Sequence, residues 1–299
     1  NNGATPLYIA SQNGHKKVVE YLATVGAEIN HANKDGATPL YVASRNGHEE
    51  VVEYLATVGA EVNFVANDGG TPLYAAAVNG HEEVVEYLAT VGAEVNCVHS
   101  DGTTPLVMAS FKGNGKVVES LVKVGAEINL AANEYTTPII AASINGHKQV
   151  VQYLKTVGAE INRADSGDRT PLHLASYKGH HTVVEYLATV GAEINRVDNK
   201  GWTPLHAACL HGHKKVVEYL ATVGAEINRA EKNGLTPLYI ASRNGHENVV
   251  EYLATVGAEI NFAANDGMTP LYGASINGHQ NLVEYLSTVG AEFDCDKNY

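Results

Sequence analysis

Nine Thr-Pro pairs, each 33 residues after the one before, constrain this chain more than any other feature. The pairs begin at Thr5 and Thr269 at the two extremes, and they contain all nine prolines of the 299-residue sequence. A single globular core would have connections of unequal length, whereas an unbroken period of this size is typical of stacked repeats. The predicted repeats are residues 2–34, 35–67, 68–100, 101–133, 134–166, 167–199, 200–232, 233–265 and 266–298.

Each repeat is predicted to form two helices and a turn, as the first one illustrates. Thr5 is placed to cap a short helix that begins at Pro6, where the missing N–H is not needed, and Gly14 ends that helix. A second helix stops at Gly26, and an extended segment then reaches Asp35-Gly36, a dipeptide typical of hairpin turns. The second helix is expected to bury Val18, Tyr21, Leu22 and Val25.

This succession of motifs resembles the ankyrin repeat. The second repeat carries the motifs Asp35-Gly-Ala-Thr-Pro-Leu40, Asn46-Gly-His48, Val51-Val-Glu-Tyr-Leu55 and Gly59-Ala-Glu-Val-Asn63, and equivalents recur along essentially the whole chain. The resemblance implies an all-α fold: a single α solenoid of helix-turn-helix-hairpin repeats over residues 1–299. Arrays normally end in polar capping repeats, whereas both end repeats here keep apolar core columns. The chain is therefore expected to be a fragment of a longer array.

The sequence departs from the family pattern at the histidine of the Thr-Pro-Leu-His motif. Only His173 and His206 keep it. Two other repeats have Val107 and Ile140 at this position. The hydrogen bonds made by the family's histidine are not expected in these two repeats or in the five others that lack the histidine. The remaining five repeats have tyrosine: Tyr8, Tyr41, Tyr74, Tyr239 and Tyr272.

Charge and composition exclude several classes of partner. The net charge is −13, from 33 acidic and 20 basic residues, and nucleic acid or an anionic membrane would require a continuous basic surface. The sequence contains no apolar stretch long enough to cross a membrane. Its three cysteines, Cys97, Cys209 and Cys295, fall in separate repeats too far apart for disulfides. We therefore expect a cytoplasmic protein without nucleic-acid binding or membrane insertion.

Catalysis is not expected, and neither is a metal or other cofactor. The serines of the first helices repeat as one small-residue column, and Cys209 merely replaces serine in it, so no unique nucleophile stands beside a base. The glycines are dispersed at the repeat period and form no phosphate loop. Histidines are enriched between His173 and His213, but no Cys or carboxylate accompanies them at zinc-ligand spacing. A pH-sensitive patch is the open alternative for these histidines.

One modification follows from the family resemblance. The segment from Leu22 to Asn30 looks like the sequence that asparaginyl β-hydroxylases recognise in ankyrin repeats. The structural alternative is that the amide braces the turn through hydrogen bonds to the backbone. The candidate asparagines are Asn30, Asn63, Asn96, Asn129, Asn162, Asn195, Asn228 and Asn261.

Comparison of the nine repeats with one another separates positions that recur from positions that vary. The resemblance implies that the varying positions of the hairpin tips and first helices line the concave groove used for binding. A run of apolar residues on such a surface, beside Trp202 and a basic group, is typical of a binding site. The predicted partner-binding residues are Val78, Phe111, Lys112, Ile144, Arg169, Tyr177, Lys178, Arg196, Trp202, Leu210, His211 and Leu235.

The sequence therefore predicts a non-catalytic scaffold for protein–protein interaction. Its partner would be a protein or peptide, with acidic residues facing Arg169 and Arg196, held in the groove of repeats three to eight. The alternative is a structural spacer or elastic segment of a larger channel, cytoskeletal or adaptor protein.

Overall fold

Two helices occupy each repeat in the computed structural model, which describes residues 2–133 and 136–292. The first helix has seven or eight residues and the second has nine, and no strand occurs within the described residues. The predicted all-α fold is confirmed. The helices are α1 (Pro6–Gln12), α2 (Lys16–Thr24), α3 (Pro39–Arg45), α4 (Glu49–Thr57), α5 (Pro72–Asn79), α6 (Glu82–Thr90), α7 (Pro105–Lys112), α8 (Gly115–Lys123), α9 (Pro138–Ile144), α10 (Lys148–Thr156), α11 (Pro171–Lys178), α12 (His181–Thr189), α13 (Pro204–Leu210), α14 (Lys214–Thr222), α15 (Pro237–Arg243), α16 (Glu247–Thr255), α17 (Pro270–Ile276) and α18 (Gln280–Thr288).

The Thr-Pro pairs start the first helices as expected. Thr38 has extended backbone angles (φ −87°, ψ 166°), and its Oγ1 accepts a hydrogen bond from the Tyr41 N–H at 3.2 Å. Pro39 follows as the first helical residue, where its fixed φ suits the helix and no N–H is needed. The same threonine cap recurs in the other repeats, which explains the period of the prolines.

A glycine and a histidine join neighbouring repeats at six of the described junctions. Gly14 lies in the left-handed region (φ 71°), and a Cβ there would come within 2.6 Å of Nδ1 in the His48 ring. Nε2 of His48 donates to the carbonyl oxygen of Gln12 at 2.9 Å. Only glycine satisfies both the backbone angle and the close approach of the ring. Equivalent hydrogen bonds to the preceding repeat are made by His81, His180, His213, His246 and His279.

The second helices bury a different set of side chains from the one predicted. Val52 and Leu55 are fully buried, whereas Val58 is 39% exposed. Val58 follows the last residue of α4 and is its C-cap, so the helical stripe does not continue to it. The prediction that the Val25 position is buried was therefore wrong.

The first repeat departs further from the predicted pattern. Val19 is the buried residue of α2, while Val18 and Tyr21 are exposed. In the second repeat, α4 packs against α2, and Val51, the valine equivalent to Val18, is buried. Burial of this column therefore depends on the neighbouring repeat.

The asparagine column links consecutive repeats. Oδ1 of Asn30 accepts the Glu61 N–H at 2.9 Å, and Nδ2 donates to the Gly59 carbonyl oxygen at 3.2 Å. The predicted bonds from side chain to backbone thus exist, but they reach the next repeat and not the local turn. The bond to the N–H of the next repeat's glutamate is also made by Asn63, Asn96, Asn129, Asn162, Asn195, Asn228 and Asn261.

Contacts between Cα atoms group the chain into two compact units. The described residues of the first unit are 2–133, 136–142 and 149–160, and those of the second are 143–148 and 161–292. Each unit is a stack of the helix pairs above. A single solenoid over residues 1–299 stays a prediction.

The fourth repeat replaces two framework residues. Gly115 takes the first position of α8, and Ser120 takes the place of the usual tyrosine. Ser120 is buried, and its Oγ donates to Oε1 of Glu86 at 3.0 Å, while Nζ of Lys123 lies 3.2 Å from the same oxygen. These hydrogen bonds hold the pKa of Glu86 below its ordinary value. The lost tyrosine is thus partly replaced by a polar link to the preceding repeat.

The two kinds of glycine predict opposite effects of substitution. Gly115→Ala should raise the free energy of unfolding by up to about 1 kcal/mol, because a Cβ there meets no atom within 4 Å and alanine favours the helix. Gly179→Ala should lower it by more than about 1 kcal/mol, because φ is 76° and the Cβ would lie 2.5 Å from Nδ1 of His213. Urea denaturation followed by circular dichroism measures both. A Gly179→Ala variant as stable as the parent would contradict the role given to the glycine–histidine contact.

Candidate binding cleft

A cleft of about 540 Å³ lies in the second unit, among the first helices and turns of repeats five to seven. Its volume is within the ~300–1,000 Å³ typical of ligand sites. The residues that line it are Ile144, Gly167, Arg169, His173, Leu174, Tyr177, Lys178, Asp198, Asn199, Lys200, Trp202, Ala207 and Leu210.

The apolar wall of the cleft stands on helix ends that the histidine bridges fix. Ile144, Tyr177 and Leu210 lie at or next to the C-terminal ends of α9, α11 and α13. Tyr177 is 39% exposed, whereas the other two are half-buried. Their carbonyl oxygens accept hydrogen bonds from Nε2 of His180, His213 and His246 at 3.0, 3.0 and 2.9 Å. The backbone beneath these three side chains is therefore held in place.

The turn that carries Trp202 is braced by Asp198. Oδ1 of Asp198 accepts the N–H groups of Lys200 at 2.8 Å and of Trp202 at 2.9 Å. The Trp202 carbonyl oxygen accepts from the Asp198 N–H at 2.9 Å and from Nε2 of His173 at 3.0 Å. Both backbone polar groups of Trp202 are thus engaged, so its partly exposed indole is presented to the cleft on a fixed backbone. Asp198 was not predicted from the sequence as a site residue.

The two arginines predicted to meet a partner's carboxylates are already paired within the chain. Nε and NH2 of Arg169 lie 2.8 and 2.7 Å from Oδ2 of Asp165, whose side chain is only 5% exposed. NH1 of Arg196 lies 3.5 Å from Oε2 of Glu193. Arg169 lines the cleft with its charge largely compensated, and Arg196 is not part of the lining.

The lysines of the cleft differ from the arginines in their ion pairing. Nζ of Lys178 lies 5.6 Å from the centroid of the Tyr177 ring, a cation–π distance. The Tyr177 ring also meets the His211 ring edge-on, with centroids 4.3 Å apart. Neither Lys178 nor Lys200 forms an ion pair with any residue in the part of the chain that the structure describes. Their two positive charges are therefore available at the cleft.

His173 and His206 lie in the first turns of α11 and α13, where each links the helix start to the next repeat. In each, Nε2 donates to the next repeat's backbone, to Trp202 at 3.0 Å and to Leu235 at 3.3 Å. Nδ1 is left to accept from the capping threonine, which requires the neutral ring. Burial is the main cause that lowers the pKa of both rings, that of His206 to about 4.

In repeats two and three, which have tyrosine in place of this histidine, the tyrosine hydroxyl forms a hydrogen bond to the next repeat. Tyr74 Oη lies 2.8 Å from Oγ1 of Thr103 in the next turn, and Tyr41 Oη lies 3.4 Å from Oδ2 of Asp68. Burial raises the pKa of Tyr41 to about 12. The tyrosine hydroxyl thus reaches the following repeat as the histidine ring does, which was not foreseen.

Six of the twelve predicted binding residues lie together in the cleft: Ile144, Arg169, Tyr177, Lys178, Trp202 and Leu210. His211 contacts Tyr177, while Arg196 and Leu235 belong to the second unit outside the lining. Val78, Phe111 and Lys112 lie in the first unit, where their role stays a prediction. Lys200 belongs to the basic group predicted beside Trp202 but was not among the twelve predicted binding residues, although four other repeats have aspartate at its position.

The remaining expectations concern metal binding, membrane insertion and asparagine hydroxylation. Among residues 2–133 and 136–292, no three His, Cys, Asp or Glu side chains are grouped as metal ligands. No described helix has the length and apolar character needed to cross a membrane. Hydroxylation of the asparagine column stays a prediction.

The buried histidines predict a loss of stability in acid. The unfolded chain takes up a proton at His206 near pH 6.5, whereas the folded chain does so only near pH 4. The free energy of unfolding should therefore fall as the pH decreases through this window, by about 2 kcal/mol from this residue between pH 7 and pH 5. The matched variant is His206→Tyr, because five repeats carry tyrosine there. Urea denaturation at both pH values should show a smaller decrease for the variant, and an equal decrease would contradict the assignment.

Comparison with known proteins supports the repeat fold described above. A family model described as ankyrin repeats (3 copies) matches residues 1–66, 57–132, 130–198, 181–264 and 224–298. Among solved structures, the crystal structure of the human ASB11 ankyrin repeat domain is similar, with a TM-score of 0.69 and 27% sequence identity. That match covers 74% of this chain and 99% of the other. No curated protein matched the chain.

Proposed function

Since the chain belongs to the ankyrin repeat family, we propose that it is a non-catalytic scaffold that holds a peptide or protein segment in the cleft of its second unit. Ankyrin repeat domains are generally protein–protein interaction modules. The proposal places the main contacts on Tyr177, Trp202 and Leu210. A concave groove that extends to repeats three to eight is part of the same proposal.

The single observation that carries this proposal is the pair of aromatic side chains on a fixed backbone. Tyr177 and Trp202 both line the cleft and both remain partly exposed. Their backbone carbonyl oxygens are held by His213 and His173. Rigid tyrosine and tryptophan side chains lose little conformational entropy on binding, which is why they are enriched at interface hot spots.

The nucleophiles of the first helices support a binding role over a catalytic one. The hydroxyl oxygens of Ser143 and Ser176 are buried in the repeat interfaces. Cys209 is buried in the same column, and burial raises the pKa of its thiol far above neutrality. A substrate in the cleft would not reach these groups in a reactive form. Free thiols at Cys97 and Cys209 also fit the proposed reducing, cytoplasmic location.

Selection of random dodecapeptides displayed on phage against the immobilised full chain tests the proposal. Enriched peptides should bind the parent and lose at least about 2 kcal/mol of binding free energy for Tyr177→Gln and for Trp202→Thr. Both variants should fold, because the repeats already carry Gln12 and Thr103 at these positions. Fluorescence anisotropy measures the affinity, and circular dichroism confirms the fold.

The control is Lys215→Ala, a change at an exposed residue of α14 outside the cleft. It should leave the affinity unchanged. Peptides that bind the two aromatic variants as tightly as the parent would place the binding surface elsewhere on the chain.

A further inference from the structure

The lysines of the cleft stand where the repeat framework has uncharged or acidic residues. The position of Lys200 is aspartate in four other repeats: Asp35, Asp68, Asp101 and Asp266. The position of Lys178 is asparagine in six. One other repeat has lysine at the Lys178 position, Lys112 in the first unit. The fold therefore requires a positive charge at neither position, and Lys178 and Lys200 line the same cleft.

Their positive charges are also the ones left uncompensated. The Arg169 guanidinium is held by the nearly buried Asp165 carboxylate, whereas neither lysine has an acidic partner within residues 2–133 or 136–292. Asp198, the acidic residue of the lining, directs Oδ1 to two backbone N–H groups of its own turn. Hydrogen bonds of this kind disperse the charge of a carboxylate. The polar rim of the cleft thus attracts anions.

This local field differs in sign from that of the whole chain, whose net charge is −13. At physiological ionic strength, charges separated by more than about 8 Å at the surface are largely screened. A ligand in the cleft therefore responds to the nearby lysines more than to acidic residues elsewhere. Charge complementarity points to an anionic ligand.

We propose that the occupant of the cleft is an acidic peptide segment. One apolar or aromatic side chain packs against Tyr177 and Trp202, and carboxylates near it pair with the ammonium groups of Lys178 and Lys200. This inference rests on the proposed function and adds the chemistry of the partner. It assigns recognition of the carboxylates to the two lysines and not to Arg169 and Arg196.

A carboxylate-bearing peptide fits the cleft better than the backbone of a nucleic acid. Binding of a polyphosphate chain relies on a continuous row of cations. The cleft offers two uncompensated lysines beside an apolar wall, and the acidic chain around it repels an extended polyanion. One apolar side chain with neighbouring carboxylates matches both features of the site.

The first readout is the sequence of the peptides selected on the full chain. Peptides that depend on Tyr177 and Trp202 should be enriched in Asp or Glu within about three residues of a Trp, Phe, Leu or Ile. A second selection on the Lys178→Asn/Lys200→Asn double variant should lose this enrichment. Both changes introduce residues that other repeats already carry, such as Asn145 and Asn233.

The second readout is the affinity of one synthetic acidic peptide from the selection. The double variant should bind it at least tenfold more weakly at 0.15 M salt, as roughly expected for a loss of two ion pairs, and its affinity should depend less on salt. A peptide with lysine in place of the acidic residues should bind the Lys178→Glu/Lys200→Glu variant better than the parent. Lys215→Glu, the same charge change outside the cleft, is the control and should have little effect.

The outcomes separate the two proposals. Peptides that require Tyr177 and Trp202 but show no acidic enrichment, or bind the double variant equally well, would overturn the acidic partner and leave the proposed function intact. Absence of peptides that depend on the two aromatic residues would overturn both. Tighter binding of a dodecathymidylate probe than of the acidic peptide, lost in the double variant, would assign the lysines to nucleic acid and overturn the inference.

Discussion

The hydrogen bond from a histidine ring to the preceding repeat is the interaction on which the rest of the structure depends. It joins Nε2 of His213, for example, to the Tyr177 carbonyl oxygen, and it requires glycine at Gly179, because the ring occupies the space of a Cβ. At six described junctions the bond links adjacent repeats and holds the end of the first helix. Since the side chains of the cleft wall project from these helix ends, the framework also determines where variable residues are displayed.

The turns add a second, local constraint. Asp165 and Asp198 each accept two N–H groups of their own turn, which fixes the residues that follow. Asp165 additionally pairs with Arg169, so that one buried carboxylate serves both the turn and a neighbouring charge. The turn thus pairs with the arginine, whereas the cleft lysines Lys178 and Lys200 form no ion pair within the described residues. An acidic protein carries a cationic, aromatic site in this way without a change of fold.

Part of the cleft lining was predictable because the nine repeats can be compared with one another. Positions that recur, such as Thr38 and Gly14, indicated caps and turns, and positions that vary indicated exposure. This comparison identified Tyr177 and Trp202 but treated every cation alike. Whether Arg169 or Lys200 has an acidic partner depends on which atoms are close in space. A comparison of equivalent positions in the repeats contains no information about these distances. The burial of the second helices was misjudged for a similar reason, since Val58 follows the helix end and Val51 depends on a neighbouring repeat.

The sequence by itself determined the repeat length, the helix starts at Thr-Pro, the glycine positions and the family. These features are local, because a cap, a proline or a left-handed glycine acts within a few residues of its position in the chain. Only the tertiary structure decided which side chains of repeats five to seven form one cleft and which of their charges are already paired. Those properties arise between residues about one repeat apart in sequence, where distance and burial, and not residue type, set the electrostatic energy.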